Sequence, residues 1–201
     1  MANIQHANLT GAELHEPKGA DSASAGMVYI ADGAGSGSWS YLPAGWGYYQ
    51  HSTTGQSITS TASKLEINGA GSLSTSTFLP REIRGADELW DTTNYKILPI
   101  RVGDLYEARI DVPVTAEGGT PTQLKIEFDI GGAATPSTVI FERYFTTGKT
   151  PPYTVSFDTS FAALNSTSVT NGIQLFVSTD SGTLTLGAPG ITVKKIYDGD
   201  Y

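Results

Sequence analysis

The chain has 201 residues and a net charge of −8, with 39% hydrophobic and only 16% charged residues. The acidic balance excludes an electrostatic nucleic-acid binder, because nothing offsets repulsion from the phosphates. The absence of cysteine excludes disulfides and thiolate metal sites. The N-terminal residues lack signal-peptide features, and no apolar run approaches the roughly 18 residues that cross a bilayer. We therefore expect no membrane partner and synthesis in a cytoplasm.

Residues 1–43 are predicted to form an extended arm without a hydrophobic core of its own. The arm is rich in Gly, Ala and Ser and contains an apolar island at Met27–Ile30. Residues Val28–Ile30 and Trp39–Tyr41 flank a glycine-rich loop, and this arrangement predicts a small hairpin. A lone two-stranded hairpin is marginal in water, so these apolar residues need a partner surface.

Residues 44–201 are predicted to form an all-β domain. The clearest strand is Gln123–Ile130, which alternates an apolar face with Lys125, Glu127 and Asp129. Tyr106–Val114 repeats this pattern. Seven further short strands are predicted between turn signals: Trp46–His51, Ser63–Ile67, Val139–Phe145, Tyr153–Phe157, Ile173–Val177, Thr183–Leu186 and Ile191–Tyr197. So many short strands predict a β-sandwich or jelly roll. Leu79–Pro99 is the least regular stretch, with a helical turn or a long loop at Glu82–Trp90.

Few residues combine into a chemical site. The carboxylates Glu127 and Asp129 share a strand face, roughly 7 Å apart by strand geometry, near the separation of an inverting glycosidase pair. Lys125 flanks them, however, so the pattern is more typical of a solvated face. The three histidines share no metal-ligand spacing, and Asp158, Asp180, Asp198 and Asp200 are assigned to loops and the C-terminus. We expect no catalytic residue, no metal and no cofactor.

Aromatic residues exceed what one core face needs. Three alternative explanations are open for these residues: subunit packing, core filling and sugar stacking. The segments Val139–Phe141 and Leu175–Val177 are apolar on both faces, which predicts strands covered on both sides. Burial of one sheet by neighbouring subunits of a trimer would produce that pattern. The aromatic residues singled out for a trimer or ligand contact are Trp46, Tyr48, Tyr49, Trp90, Tyr95 and Tyr144.

The two parts of the chain carry a resemblance to known proteins. The arm, with Leu14–Gly19 followed by Ala23–Trp39, resembles the N-terminal segment of phage virion proteins: head fibres, capsid decoration proteins and some tail fibres. The body looks like the tumour-necrosis-factor-like jelly roll at the tips of such fibres. The stretches that carry this second likeness are Gly45–Tyr49, Leu105–Val114, Phe128–Gly132 and Gly190–Lys195.

The resemblance implies a homotrimeric, non-enzymatic structural protein on the outer surface of a virion, assembled in the host cytoplasm. Residues 1–43 would bind the major capsid protein or another virion protein, and residues 44–201 would form a projecting knob. The residues expected to make the virion contacts are Leu9, Leu14, His15, Glu16, Pro17, Lys18, Met27, Val28, Tyr29, Ile30 and Trp39.

Three alternatives stay open. The first is a tail-fibre or receptor-binding tip that recognises a host surface glycan through loop aromatics. The second is a polysaccharide depolymerase that uses Glu127 and Asp129. The third is a host cytokine-like or collagen-associated jelly roll, which the absent signal peptide and absent collagen repeats disfavour.

Overall fold

The structure is a computed structural model of the chain. It describes residues 22–31, 34, 37–41, 44–53, 55–80, 82–84, 87–118, 123–130, 138–144 and 153–197. The chain divides into two compact units, Met1–Leu42 and Pro43–Tyr201. No helix among these described residues is long and apolar enough to span a bilayer.

The first unit contains an antiparallel hairpin, which confirms the predicted pairing. Strand β1 (Met27–Ala31) pairs with β2 (Gly37–Tyr41), with Tyr29 opposite Trp39. The two rings meet edge to face with centroids 5.5 Å apart. Gly37 is required at its position, because a Cβ there would collide with the backbone carbonyl of Ile30.

The second unit is almost entirely β. Its described strands are β3 (Gly45–Gln50), β4 (Gln56–Ile58), β5 (Ser63–Lys64), β6 (Trp90–Asp91), β7 (Lys96–Ile97), β8 (Leu105–Gly118), β9 (Gln123–Ile130), β10 (Thr138–Tyr144), β11 (Tyr153–Ala162), β12 (Ile173–Thr179), β13 (Thr183–Leu186) and β14 (Gly190–Tyr197). A single short helix, α1 (Ser166–Asn171), stands among these described elements.

Two antiparallel sheets contain these strands. Sheet I has the order β3-β14-β8-β13-β4, and β11 pairs with the free side of β8. Sheet II has the order β10-β9-β12-β7-β6, and β5 also pairs with β12. The 14 residues of β8 serve two partners on one side, because β14 pairs with its first half and β13 with its end.

The pairing is that of a jelly roll. The first body strand pairs with the last (β3 with β14), β5 and β7 pair with β12, β8 pairs with β11, and β9 pairs with β10. The pairs are nested like the rungs of one long hairpin: β3–β14 and β4–β13 lie in sheet I, the pairs of β12 with β5 and β7 in sheet II, β8–β11 in sheet I and β9–β10 in sheet II. Such nesting is the connectivity of a jelly-roll sandwich. The all-β sandwich predicted from the sequence is therefore confirmed.

One hydrophobic core lies between the two sheets. The five inward positions predicted for β8, from Tyr106 to Val114, are all buried, and so are Leu124, Ile126 and Phe128 of β9. Phe161 of β11 joins the sheets, because its ring stacks on Tyr106 and meets Phe128 edge to face, each at 5.5 Å. Burial of a large apolar side chain contributes about 1.5–3 kcal/mol, so this cluster dominates the stability of the fold.

Several strand boundaries differ from the expectation. Strand β8 runs four residues further, to Gly118, and β11 five residues further, to Ala162. The added residues of β11 pair in register with β8, so long-range pairing outweighs their weak local β pattern. Asp158 consequently lies within β11 and not in a loop.

Helix α1 is absent from the sequence prediction. The Asn165 side chain caps it by accepting a hydrogen bond from the Ser168 N–H at 2.9 Å. It ends at Gly172, whose φ of 75° is accessible to glycine and rare for other residues. The helix has six residues, too few for a periodic apolar pattern to indicate it.

The outer face of sheet II corrects two expectations. All seven residues of β12 are buried, as predicted for a strand covered on both faces, but this happens within a single chain. The apolar run Leu175–Val177 therefore gives no evidence for a trimer. On β9, Asp129 is buried and the Glu127 side chain is 12% exposed, so this face is not the solvated face that its alternation predicted.

Candidate interaction surfaces

The hairpin presents apolar side chains that it does not bury. Every residue of β1 and β2 is exposed or partly exposed, including Met27, Val28, Tyr29, Ile30 and Trp39. The other expected virion contacts lie outside the described residues: Leu9, Leu14, His15, Glu16, Pro17 and Lys18.

Two of the singled-out aromatics belong to the core. Trp90 is fully buried and donates its indole N–H to the Ile67 carbonyl at 2.8 Å. Tyr49 is also buried, donates its hydroxyl to Glu88 Oε2 at 2.7 Å and accepts the Leu89 N–H at 3.1 Å. Core filling, and not an exposed ligand platform, accounts for both residues. The hydrogen bonds of Tyr49 tie residues 88 and 89 to β3 of sheet I, and the bond of Trp90 ties residue 90 to the backbone at Ile67.

The two glycines of the Gly45-Trp46-Gly47-Tyr48-Tyr49 sequence allow close packing against β3. Both glycines face inward on β3. A Cβ on Gly45 would collide with Leu79 and Pro80, and one on Gly47 would lie 2.6 Å from the Tyr49 hydroxyl oxygen. Glycine at position 45 lets Leu79 and Pro80 approach the strand, and glycine at position 47 leaves room for the Tyr49 ring to lie over it.

Trp46 and Phe78 form the exposed aromatic pair of sheet I. Their rings stack with centroids 4.9 Å apart at 18°, and the side chains remain 36% and 51% exposed. Backbone bonds hold this geometry: Trp46 N–H donates to the Phe78 carbonyl, and Tyr48 and Thr75 exchange two bonds. Phe78 was not singled out from the sequence, because only the pairing of residues 75–78 with β3 places it there.

The remaining singled-out aromatics lie apart from this pair. Tyr48 is partly buried on β3, and burial together with the charge of Asp111 raises its pKa. Tyr95 packs its ring against the core from the β6–β7 turn at a φ of 56°. Tyr144 ends β10 on sheet II and is 69% exposed. The six aromatics therefore do not form one surface.

The outer face of sheet I is charged beside its aromatic edge. Moving across the sheet from Trp46, the register passes Lys194 and then Glu107, which form an ion pair at 3.5 Å. In a neighbouring row, Arg109 contacts Asp158 at 3.9 Å. These pairs are well exposed, so each contributes little to stability.

A buried ion cluster lies on the inner face of β14, opposite the face that carries Lys194. The ammonium of Lys195, fully buried on β14, contacts Glu82 Oε1 at 2.7 Å and Asp104 Oδ2 at 3.1 Å. Tyr106 donates its hydroxyl to the same Asp104 oxygen at 2.8 Å and accepts the Ile100 N–H at 2.8 Å. The cluster fastens the Leu79–Asp104 segment to sheet I.

The pKa values of Lys195 and Tyr106 are shifted as this cluster of contacts predicts. Burial alone would lower the pKa of Lys195, but the hydrogen bonds and charges of Glu82 and Asp104 outweigh it and raise the pKa above its ordinary value. Burial, with Asp104 and Glu82 adding, raises the pKa of Tyr106. The lysine is therefore held charged and the tyrosine neutral, as a structural cluster requires. Nothing in the sequence pattern indicated it, since Glu82 and Lys195 are 113 residues apart.

Two cavities of similar size adjoin Glu88. One, of about 260 Å³, is lined by Tyr49, Gly69, Ser74, Thr75, Ser76, Glu88 and Thr92, and is rich in hydroxyl groups. The other, of about 250 Å³, is lined by Ile83, Asp87, Glu88, Leu98, Pro99, Ile100 and Val169, and is mainly apolar. Sequence reasoning found neither, because their walls come from four separate segments.

The residues tested for chemistry do not assemble into a centre. Glu127 is paired with Lys125 at 2.8 Å. In the part of the chain that the structure describes, no three His, Cys, Asp or Glu side chains are grouped so that they could hold a metal ion.

Comparison with known proteins gives structural similarity only. No family model and no curated protein match the chain. Among solved structures, the Eiger TNF from S. frugiperda aligns at 10% identity and a TM-score of 0.45, covering 77% of this chain and 92% of that one.

Two further structures align over most of this chain. The PRD1 vertex protein P5 aligns at 17% identity and a TM-score of 0.45, covering 87% of this chain and 84% of that one. The dimeric latent PorU from Porphyromonas gingivalis aligns at 11% identity and a TM-score of 0.40, covering 88% of this chain and 15% of that one. Because all three likenesses are this weak, the jelly-roll assignment rests on the strand pairing of the chain itself.

Proposed function

We propose that the chain is a structural protein of a phage particle, a head fibre or capsid decoration protein attached through residues 1–43. The hairpin carries this proposal, because no residue of β1 or β2 is fully buried, Val28 is exposed, and Tyr29, Ile30 and Trp39 are partly exposed. Exposed apolar residues on a small hairpin are stabilised by a partner surface. The resemblance of the arm to virion segments supplies the kind of partner, a capsid or other virion protein.

We further propose that three copies assemble. Three hairpins side by side would bury each other's apolar residues, and three attached arms would gain avidity without strong individual contacts. The knob, residues 44–201, has its own jelly-roll core and would project outward. In this role the chain acts by binding and is not an enzyme.

The test uses the full chain and particles that lack it. Tyr29→Ala with Trp39→Ala removes the exposed aromatic contact, and we expect particle binding to fall at least about tenfold as measured by co-sedimentation. Ser38→Ala, a neighbouring exposed position on β2, is the matched control and should bind normally. Unchanged binding by the double variant would overturn the anchor role of the hairpin.

The assembly state is tested separately. Sedimentation equilibrium of the full chain should give a mass near three times 21.2 kDa. The fragment 44–201 should keep its fold by near-ultraviolet circular dichroism and lose particle binding. A full chain that stays monomeric at high micromolar concentration would contradict the trimer.

A receptor-binding tip on a tail fibre is the second candidate. The observation in its favour is the stacked, exposed pair of Trp46 and Phe78 beside charged residues, which suits stacking against a sugar face. Location separates the two candidates. A decoration protein co-purifies with DNA-filled heads that lack tails, whereas a tail tip is found only on complete particles.

A further inference from the structure

The hydroxyl-rich cavity beside Glu88 has features of a ligand site. We name it the Glu88 cavity; its polar walls are Ser74, Thr75, Ser76, Glu88 and Thr92. At about 260 Å³ it lies just below the range of roughly 300–1,000 Å³ typical of drug-sized ligands. It therefore suits one small ring and not an extended oligomer.

The Glu88 carboxylate is held in a fixed orientation. Its Oε2 accepts the hydroxyl proton of the buried Tyr49 at 2.7 Å, and that hydroxyl oxygen accepts the Leu89 N–H. Burial and the bond to Glu88 raise the pKa of Tyr49, so the tyrosine stays a donor across the physiological range. Glu88 is thus oriented from below before any ligand arrives.

Several polar groups in the cavity remain available. Within the described residues, Glu88 Oε1 and the hydroxyls of Ser76 and Thr92 make no hydrogen bond, whereas Ser74 is engaged with the Gln50 backbone. A carboxylate oxygen accepts only, while the two hydroxyls both donate and accept. A ligand with several hydroxyl groups on one ring complements this set.

The charge of the residues that line the cavity narrows the class of ligand further. Among the residues that the structure describes, Glu88 is the only charged one that lines the cavity, and Ser, Thr and Gly form most of the remaining described wall. An acidic sugar would bring a second carboxylate against Glu88, and no cation among the described lining residues offsets the repulsion, so the site should reject it. We propose that the Glu88 cavity binds one uncharged pyranose unit of a glycan and discriminates against uronic and sialic acids.

This inference goes beyond the attachment role and does not depend on it. It also differs from stacking on Trp46 and Phe78, because neither of those residues lines the cavity. Variants of the cavity and of the aromatic pair therefore distinguish binding in the cavity from stacking on Trp46 and Phe78.

The test is ligand-observed saturation-transfer NMR on the full chain. The probes are glucose, galactose and N-acetylglucosamine as neutral sugars, with glucuronic acid and N-acetylneuraminic acid as acidic ones. We expect at least one neutral sugar to bind with a dissociation constant on the order of millimolar. The acidic sugars should bind at least about tenfold more weakly.

Matched variants locate the site. Ser76→Tyr fills the cavity and should abolish transfer, whereas Ser72→Tyr places the same side chain at an exposed position outside it and should leave transfer unchanged. Thr92→Tyr is a second filling variant in case the first misfolds, as judged by circular dichroism. Glu88→Gln keeps an acceptor without the charge and should narrow the difference between glucose and glucuronic acid.

Three results would overturn the proposal. One is the absence of transfer from all three neutral sugars. Another is equal transfer in a folded cavity-filling variant and in Ser72→Tyr. The third is binding of glucuronic acid as tight as that of its neutral counterpart.

Discussion

The two faces of β14 carry consecutive lysines in opposite surroundings. Lys194 points outward, is 48% exposed and pairs with Glu107 at 3.5 Å. Lys195 points inward, is fully buried and pairs with Glu82 and Asp104 at 2.7 and 3.1 Å. The same side chain on neighbouring residues therefore decorates the surface at one position and holds a loop in place at the other. Burial, and not residue type, decides what each charge contributes.

The same contrast holds between the wider faces of sheet I. The inner face meets the long segment from Leu79 to Asp104 through hydrogen bonds of Tyr49 and Tyr106. The outer face carries exposed ion pairs beside Trp46 and Phe78. The inner face thus stabilises the fold, and the outer face is available for recognition.

The largest expected effect comes from removing the buried lysine. Lys195→Met leaves Asp104 buried without its cation, and we expect the free energy of unfolding to fall by about 3–5 kcal/mol. Lys194→Met is the matched control on the adjacent residue and should cost at most about 1 kcal/mol. Urea unfolding followed by tryptophan fluorescence measures both. Equal losses for the two variants would show that the burial of Lys195 does not matter.

The second effect compares two tryptophans on the same terms. Trp90→Phe removes the indole N–H from the buried Ile67 carbonyl and leaves a small void, for an expected loss of about 2 kcal/mol. Trp46→Phe keeps an exposed ring on Phe78 and should cost no more than about 0.5 kcal/mol. Thermal unfolding by calorimetry checks the order, and a larger loss for Trp46→Phe would contradict it.

The smallest effect is a change in the alkaline limb of stability. The folded pKa of Lys195 is raised, so its stabilisation is complete below its unfolded pKa of about 10.4 and is lost as pH rises through the folded value. Burial raises the pKa values of Tyr49 and Tyr106 as well, which adds loss in the same direction above about pH 10.

The matched lysine variants separate these contributions. Between pH 9 and 11, Lys195→Met should lose less stability than the unmodified chain, since only the tyrosines still titrate. Lys194→Met should follow the unmodified chain. Urea midpoints across this pH range measure the difference, and parallel curves for all three proteins would refute the linkage to Lys195.

Much of the sandwich could be predicted from local patterns. Strand β9 matches its predicted bounds, Gln123–Ile130, because alternation of apolar and polar residues reports directly on one buried face. The same argument failed at Asp129, which is buried although it sits at a polar position. A strand pattern shows which face is apolar, but it does not show what covers the other face.

The candidate sites were less accessible to sequence reasoning. The hairpin was predicted from two apolar segments around a glycine loop. Trp46, singled out for a trimer or ligand contact, is exposed, and its role stays a prediction. The partners that give the surfaces their chemistry were missed, because Phe78 and Glu88 meet β3 only through loops that pack on it. Tyr49 and Trp90 were interpreted as aromatics in excess of what the core needs for the same reason, because their burial depends on how the segment around Glu88 packs.

The sequence by itself determined the β character of the body and the inward faces of its main strands, and it predicted a division at about residue 43. These follow from composition and period-two alternation, which are local properties of the chain. Tertiary structure decided the nested strand order, the burial of Lys195 and Asp104, and the walls of the Glu88 cavity. Each of these joins residues far apart in sequence, and the free energy of burying a group depends on its neighbours in space.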